Sequence, residues 1–445
     1  MAQAETSAAS RQGRAAAAAR TPPAQGAASV ALARPVYSGG NRVRLLQGGD
    51  ELFPAMHEAI ATARQEIWLA TYIFHDDETA LAMMDALAAA SQRGVHVHVV
   101  VDGFGSKATL ETLRQRLAVG GGVALAVFRP LRGWWTFFQP GQLRRLHQKL
   151  CVVDGMVAFV GGINVIDDRL DVRHGRTELP RLDFAVQLQG PIVAPVEQSV
   201  RALWTRAWLG HDFRDELVAL ARSNEPLSRL RALLRQLRMP RRKGLQPEWT
   251  ALEPVRAAFV LRDNLRQRRT IERSYIMALR SARERIDIVA SYFYPGHAFR
   301  VALRQAARRG VRVRLLLQGK LDYRIAGMAA RALYDELLGH GVRIYEYTPA
   351  YLHAKVALVD DEWATVGSSN IDPLSLVLNL EANVLVMDRS FNRELAQRFD
   401  VAVAASREID PSTMRQQGLL GAGRRALVAW VAYVYMRLAG VTGRY

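Results

Sequence analysis

LHQKLCVVDGMVAFVGGIN, residues 146–164, returns later in the chain as LHAKVALVDDEWATVGSSN, residues 352–370. His, Lys, Asp, Gly and Asn fall at the same offsets in both: His147, Lys149, Asp154, Gly161 and Asn164, then His353, Lys355, Asp360, Gly367 and Asn370. A lone His-x-Lys carries almost no information. Two copies of a five-position pattern, each late in its half, mark a duplicated unit.

The duplication extends outward from the motifs. A helical pattern over Leu52 to Arg64 precedes the strand IWLATYIF (67–74), a helix TALAMMDALAAASQRG and the strand VHVHVVVDG (95–103). The second copy gives a helix over Thr270 to Arg283, the strand IDIVASYF (286–293), the helix AFRVALRQAARRG and the strand VRVRLLLQG (311–319). Tyr72 matches Tyr292, and Arg93-Gly94-Val95 matches Arg309-Gly310-Val311. Strands alternating with amphipathic helices predict an α/β fold of two α/β/α sandwiches with mixed, largely parallel sheets. Two such halves are expected to pack about a pseudo-two-fold axis. The domains read as 42–211 and 256–405, with a tail over 1–36, a basic linker over 212–255 and a C-terminal tail over 406–445.

Each motif reads as two apolar strand segments joined by a tight turn, at Asp154-Gly155 or Asp360-Asp361. Residues i and i+2 share a face of a strand, so each His projects with its Lys. The returning segment brings Asn164 or Asn370 opposite. Two such sets facing one pocket offer two bases and two cations, which suits in-line displacement at phosphorus. No metal or cofactor is called for. Asp183 and Glu381, each about 30 residues after the histidine of its own half, are expected to orient the imidazoles.

The doubled pattern with its trailing GG or GS and Asn resembles the phospholipase D superfamily. The segment HAKVALVDDEWATVGSSNIDPLSLVLNLEANV, with ASYFYPGHAFRVALRQAARRGVRVRLLLQG before it, resembles the bacterial cardiolipin synthases, the B type in particular. The resemblance covers about 42–405. It implies a phosphatidyltransferase that passes a phosphatidyl group from one phosphatidylglycerol to another through a phosphohistidine. It implies His147 as nucleophile and His353 as acid and base, with Asp154 and Asp360 completing the catalytic set in a supporting role. Lys149, Lys355, Asn164, Asn370 and Ser368 are assigned to the phosphate. Gly162 departs from the usual Ser, which predicts a missing hydroxyl contact to phosphate on that side.

Lys and Arg exceed Asp and Glu by 18, which points to a polyanionic partner. A nuclease or phosphodiesterase would share the chemistry and the charge. The aromatic loop RPLRGWWTFFQP (129–140) and the leucine-spaced basic segment PLSRLRALLRQLRMPRRK (226–243) favour an anionic membrane over nucleic acid. The apolar run 426–436 is a further candidate contact, and no stretch is long enough to span a bilayer. The expected place is peripheral, on the cytoplasmic face of the bacterial inner membrane; oligomeric state stays open. His96 and His98 read as a surface strand face, and Cys151 as a core residue.

Overall fold

A computed structural model describes residues 35–119, 122–130, 144–171, 175–209, 255–262, 269–320, 330–331, 333–372 and 379–412. The linker and aromatic-loop segments 226–243 and 131–140, the run 426–436 and most of the N-terminal tail lie outside them.

The first half runs β1 (Ser38–Gln47), α1 (Gly48–Thr62), β2 (Glu66–Thr71), α2 (Glu78–Gln92), β3 (His96–Asp102), α3 (Leu110–Val119) and β4 (Val123–Phe128). The motif hairpin follows as β5 (Leu150–Val153) and β6 (Val157–Gly161). A small ribbon, β7 (Leu170–Asp171) with β8 (Gly175–Arg176), precedes β9 (Phe184–Gln189) and α4 (Val193–Ala207). The second half runs β10 (Val255–Arg262), α5 (Thr270–Ser281), β11 (Arg285–Ala290), α6 (His297–Arg308), β12 (Arg312–Gln318), α7 (Tyr334–Leu338) and β13 (Arg343–Tyr347). Its hairpin is β14 (Lys355–Val359) with β15 (Trp363–Gly367), and β16 (Glu381–Met387), α8 (Arg389–Ala404) and β17 (Arg407–Glu408) close the fold.

Fifteen of these strands form one sheet, in the order β17-β13-β12-β11-β14-β15-β16-β10-β1-β9-β6-β5-β2-β3-β4. From the β1–β10 seam outward, each half repeats the same succession, which is the expected pseudo-two-fold. The sheet is not largely parallel. Only β2–β3–β4 and β11–β12–β13 run parallel. The other neighbours are antiparallel, because the motif hairpins turn tightly and reverse direction, while only the connections through helices restore it. The two-residue β17 extends the sheet beyond β13, within the span read from sequence as a tail.

The seam is pinned by Asn41. Its side chain is fully buried; the amide donates to the Val255 carbonyl at 3.1 Å, and its oxygen accepts the Ile192 N–H at 2.9 Å. One apolar core runs under both halves, with α4 and α8 packed on that face. The opposite face is divided. α1, α2 and α3 cover the first half, and α5, α6 and α7 the second, each over its own cluster.

α1 begins four residues before the apolar pattern does. The Gly48 N–H donates to the Asp183 carbonyl at 2.9 Å and the Gly49 N–H to the Asp168 carboxylate at 2.5 Å. A carboxylate suits a helix start, where N–H groups lack partners.

His98 is not on the surface. It is buried, stacked on Trp68 with ring centres 3.9 Å apart and edge-on to Trp204 at 4.8 Å. Alternation misleads here, because α4 covers the face that a polar strand residue would give to water. Cys151 is a core residue whose thiol burial pushes up to about 12.

Candidate active site

The segments before the two hairpins cross the seam. Leu146 bridges Leu380, with the His147 N–H donating to the Leu380 carbonyl and the Leu380 N–H to the Arg145 carbonyl. Leu182 bridges Leu352 in the same way, through the Tyr351 carbonyl and the His353 N–H. Each histidine therefore arrives beside the acid of the other half. His147 Nδ1 lies 3.0 Å from Glu381 Oε2, and His353 Nδ1 lies 2.6 Å from Asp183 Oδ2. Both Nε2 atoms remain for a substrate. Asp183 and Glu381 do stand behind the imidazoles, and each serves the histidine of the opposite half, since both motif segments pair with the strand entry of that half.

The lysines do not point freely from a strand. Both are buried, and each ammonium donates to the carbonyl of its own motif histidine, Lys355 to His353 and Lys149 to His147, the latter at 2.7 Å. Burial pulls Lys149 down to about 7, against the attraction of Glu381. The Asn164 side-chain oxygen accepts the Ile73 N–H at 3.2 Å; the Asn370 oxygen is buried with no partner among the described residues.

Asp154 and Asp360 stand at the far turns, not at the histidines. Each adopts a left-handed backbone, φ 51°. The Asp154 carboxylate accepts the N–H groups of Arg64, Gln65 and Glu66, and Asp360 those of Arg283, Glu284 and Arg285. They fix the start of β2 and β11 to the hairpin, so their part in the catalytic set is the supporting one, exerted from the turns rather than at the histidines. Asp360→Ala should lower stability by about 2 kcal/mol, read as a fall in melting temperature, while folded protein keeps its turnover within a few-fold. Loss of turnover at unchanged melting temperature would overturn this.

Ser368 is also reassigned. It is fully buried and donates to Glu381 Oε2 at 2.5 Å, so it holds the acid rather than phosphate. Gly162, its counterpart, leaves no gap. A Cβ there would sit 2.3 Å from Asp183 Oδ1, so the carboxylate itself fills that space. Gly162→Ser should push Asp183 from His353 and cost about 100-fold in turnover with little change in melting temperature; a wild-type rate would refute the packing argument.

Sequence reasoning missed three groups. Asp102, at the end of β3, accepts the Leu146 N–H at 2.8 Å, and Gln318, at the end of β12, accepts the Leu352 N–H at 2.5 Å. Both set the residue before a histidine, and their shared place in the repeat was the available signal. Tyr72 lies against His147, ring centres 5.2 Å apart, with the Lys149 ammonium 5.6 Å from its ring.

The family described as "Cardiolipin synthase, PLD-like domain" matches residues 56–175 and 275–402, more than half of the chain and one segment per half. The chain belongs to the cardiolipin synthase family. Cardiolipin synthase B of Salmonella typhimurium is 38% identical over 376 residues, covering 84% of each chain. Cardiolipin synthase A of Pseudomonas fluorescens is 34% identical, over 85% of this chain and 73% of that one. The crystal structure of phosphatidylserine synthase from Haemophilus influenzae superposes with a TM-score of 0.57 at 14% identity, covering 89% of this chain and 94% of that one; it shares the phospholipase D fold. Membership in the cardiolipin synthase family makes the chain a phosphatidyltransferase of the phospholipase D superfamily.

Proposed function

We propose that the chain makes cardiolipin by moving the phosphatidyl group of one phosphatidylglycerol to a second, through a phosphohistidine on His147. His147 Nε2 attacks phosphorus, the bond to the headgroup glycerol breaks, and the His353–Asp183 pair gives that alkoxide its proton. The hydroxyl of the second phosphatidylglycerol then returns a proton to His353 as its oxygen displaces His147. Lys149, Lys355 and the amides of Asn164 and Asn370 face the non-bridging oxygens.

The unequal charge of the two pairs carries this assignment. Burial would raise Glu381, but His147, the Lys149 ammonium and the Ser368 hydroxyl together outweigh it, so Glu381 lies below its ordinary value. Burial lowers His147 against the pull of Glu381. That pair rests as neutral imidazole beside carboxylate, ready to attack. Asp183 has no hydroxyl partner at Gly162. Burial raises it to about 7, although Lys355 opposes this. Burial and Lys355 push His353 well below its ordinary value. This second pair keeps one shared proton up to about neutrality, as a donor must.

An anionic membrane follows as partner and workplace, on the cytoplasmic face of the inner membrane in this reading. The excess of 18 basic residues supports it. No helix among the described residues is long and apolar enough to cross a bilayer.

The purified chain with phosphatidylglycerol in mixed micelles should yield cardiolipin and free glycerol in equal amounts. Phosphatidic acid alone would make it a hydrolase, and cleavage of DNA with no lipid product would end the proposal.

A further inference from the structure

The catalytic centre is nearly symmetric, but its rim is not. At the end of β4, Phe128-Arg129-Pro130 corresponds to Tyr347-Thr348-Pro349 after β13, since the Gly103 N–H meets the Phe128 carbonyl as the Gly319 N–H meets that of Tyr347. Ahead of the histidines, Arg144 and Arg145 correspond to Ala350 and Tyr351. Three arginines in the first half thus stand where the second half has Thr, Ala and Tyr.

The arginines form one knot. The Arg129 guanidinium donates to the Arg144 carbonyl and that of Arg145 to the Arg129 carbonyl, both at 3.3 Å. Arg145 lies 3.9 Å from Asp102, but that carboxylate is already held by the N–H groups of Phe104, Gly105 and Leu146. Arg129 has φ 51°, a left-handed conformation that favours glycine and costs an ordinary residue about 1 kcal/mol. Gly103 packs beneath it, where a Cβ would meet Pro130 at 2.5 Å. An arginine kept on strained backbone points to work done by its side chain. Burial, with Arg206, Arg144 and Arg145 close by, pulls Arg129 down to about 10, and an anion would relieve that repulsion. Arg145 stands two residues before His147, so the knot borders the reacting phosphate. Phe104, 47% exposed, lies 5.2 Å from the Arg145 guanidinium and adds apolar surface there.

The geometry points to a second phosphate subsite, formed by Arg129, Arg144 and Arg145, that takes the phosphodiester of the acceptor lipid. The inference rests on the function proposed above. The transfer joins two phosphates across one glycerol, and the paired histidines, lysines and amides accommodate one of them. Guanidinium forks suit the other.

The test is a partition. Phosphatidylglycerol in mixed micelles is supplied with labelled glycerol. Labelled phosphatidylglycerol then reports transfer to a neutral acceptor, and cardiolipin reports transfer to an anionic one. Both products share one donor. Arg129→Gly, which the backbone accommodates, and Arg144→Gln should each lower the ratio of cardiolipin to labelled phosphatidylglycerol by about tenfold, as loss of a charge-assisted contact predicts. Arg129→Gly should keep or raise the melting temperature. Arg308→Gln, on the exposed face of α6, should leave the ratio as in the wild type. An unchanged ratio in the rim variants, or an equal fall in Arg308→Gln, overturns the subsite. So does a lowered inhibition by inorganic phosphate with the ratio intact, which would make the rim a site for free phosphate. Wild type making neither product would instead remove the proposed function.

Discussion

Replacing His147 by alanine should lower cardiolipin formation by about 10⁴-fold, and His353→Ala by a similar factor, because in the proposed mechanism each is one half of a nucleophile–acid set that works as a unit. The two losses should differ in kind. His147→Ala removes the atom that bonds to phosphorus, so no lipid should become attached to the protein. His353→Ala keeps the nucleophile but removes both the acid for the leaving glycerol and the base for the acceptor hydroxyl. With a phosphatidyl nitrophenol, which departs without a proton, labelled phosphatidyl should then accumulate on the chain, at His147, after denaturation at neutral or alkaline pH, where a P–N bond survives. The reverse labelling would exchange the roles, and full activity of either variant would dismiss the paired mechanism. The wild-type pH profile carries the same assignment. Rate should fail on the acid side only below the ordinary imidazole value, since burial keeps His147 neutral. It should fall on the alkaline side from about 7, as the His353–Asp183 pair loses its proton.

Glu381→Gln and Asp183→Asn should each cost about 10³-fold with natural substrate, by analogy with loss of a carboxylate behind a catalytic imidazole. The exchange of acids across the seam makes them separable. A phosphodiester with a nitrophenol leaving group needs no proton on departure. It should restore bond cleavage in Asp183→Asn, whose acid serves His353, and leave Glu381→Gln slow, whose acid serves His147. Had the acids paired within their own halves, the rescue would be reversed. The experiment therefore reads the topology through kinetics.

The repeat was legible because the two hairpins share offsets and their flanking strands share periodicity; the strand read as 311–319 is β12, and the one read as 95–103 is β3. Asp183 and Glu381 were legible as acids in strand-like sequence. Their partners were not. Which acid serves which histidine is set by the bridges from Leu146 to Leu380 and from Leu182 to Leu352, long-range events with no local signature. Ser368 misled for a related reason, because a hydroxyl beside a glycine suits phosphate as well as it suits a neighbouring carboxylate. Asn41, which follows Gly39-Gly40, carries no local mark of its role in the sequence. Its burial comes from Val255 and Ile192, 214 and 151 residues away.

The exchanged acids also set an order in time. Translation delivers the first half before the second. While the chain ends near Trp208, His147 exists and Glu381 does not, and Asp183 has no imidazole to hold. The ribosome thus first produces a half whose histidine has no carboxylate behind it. The two centres are completed together when β16 and the second hairpin reach the seam, so competence to cut and join lipids arrives in one step, once the second half has been made.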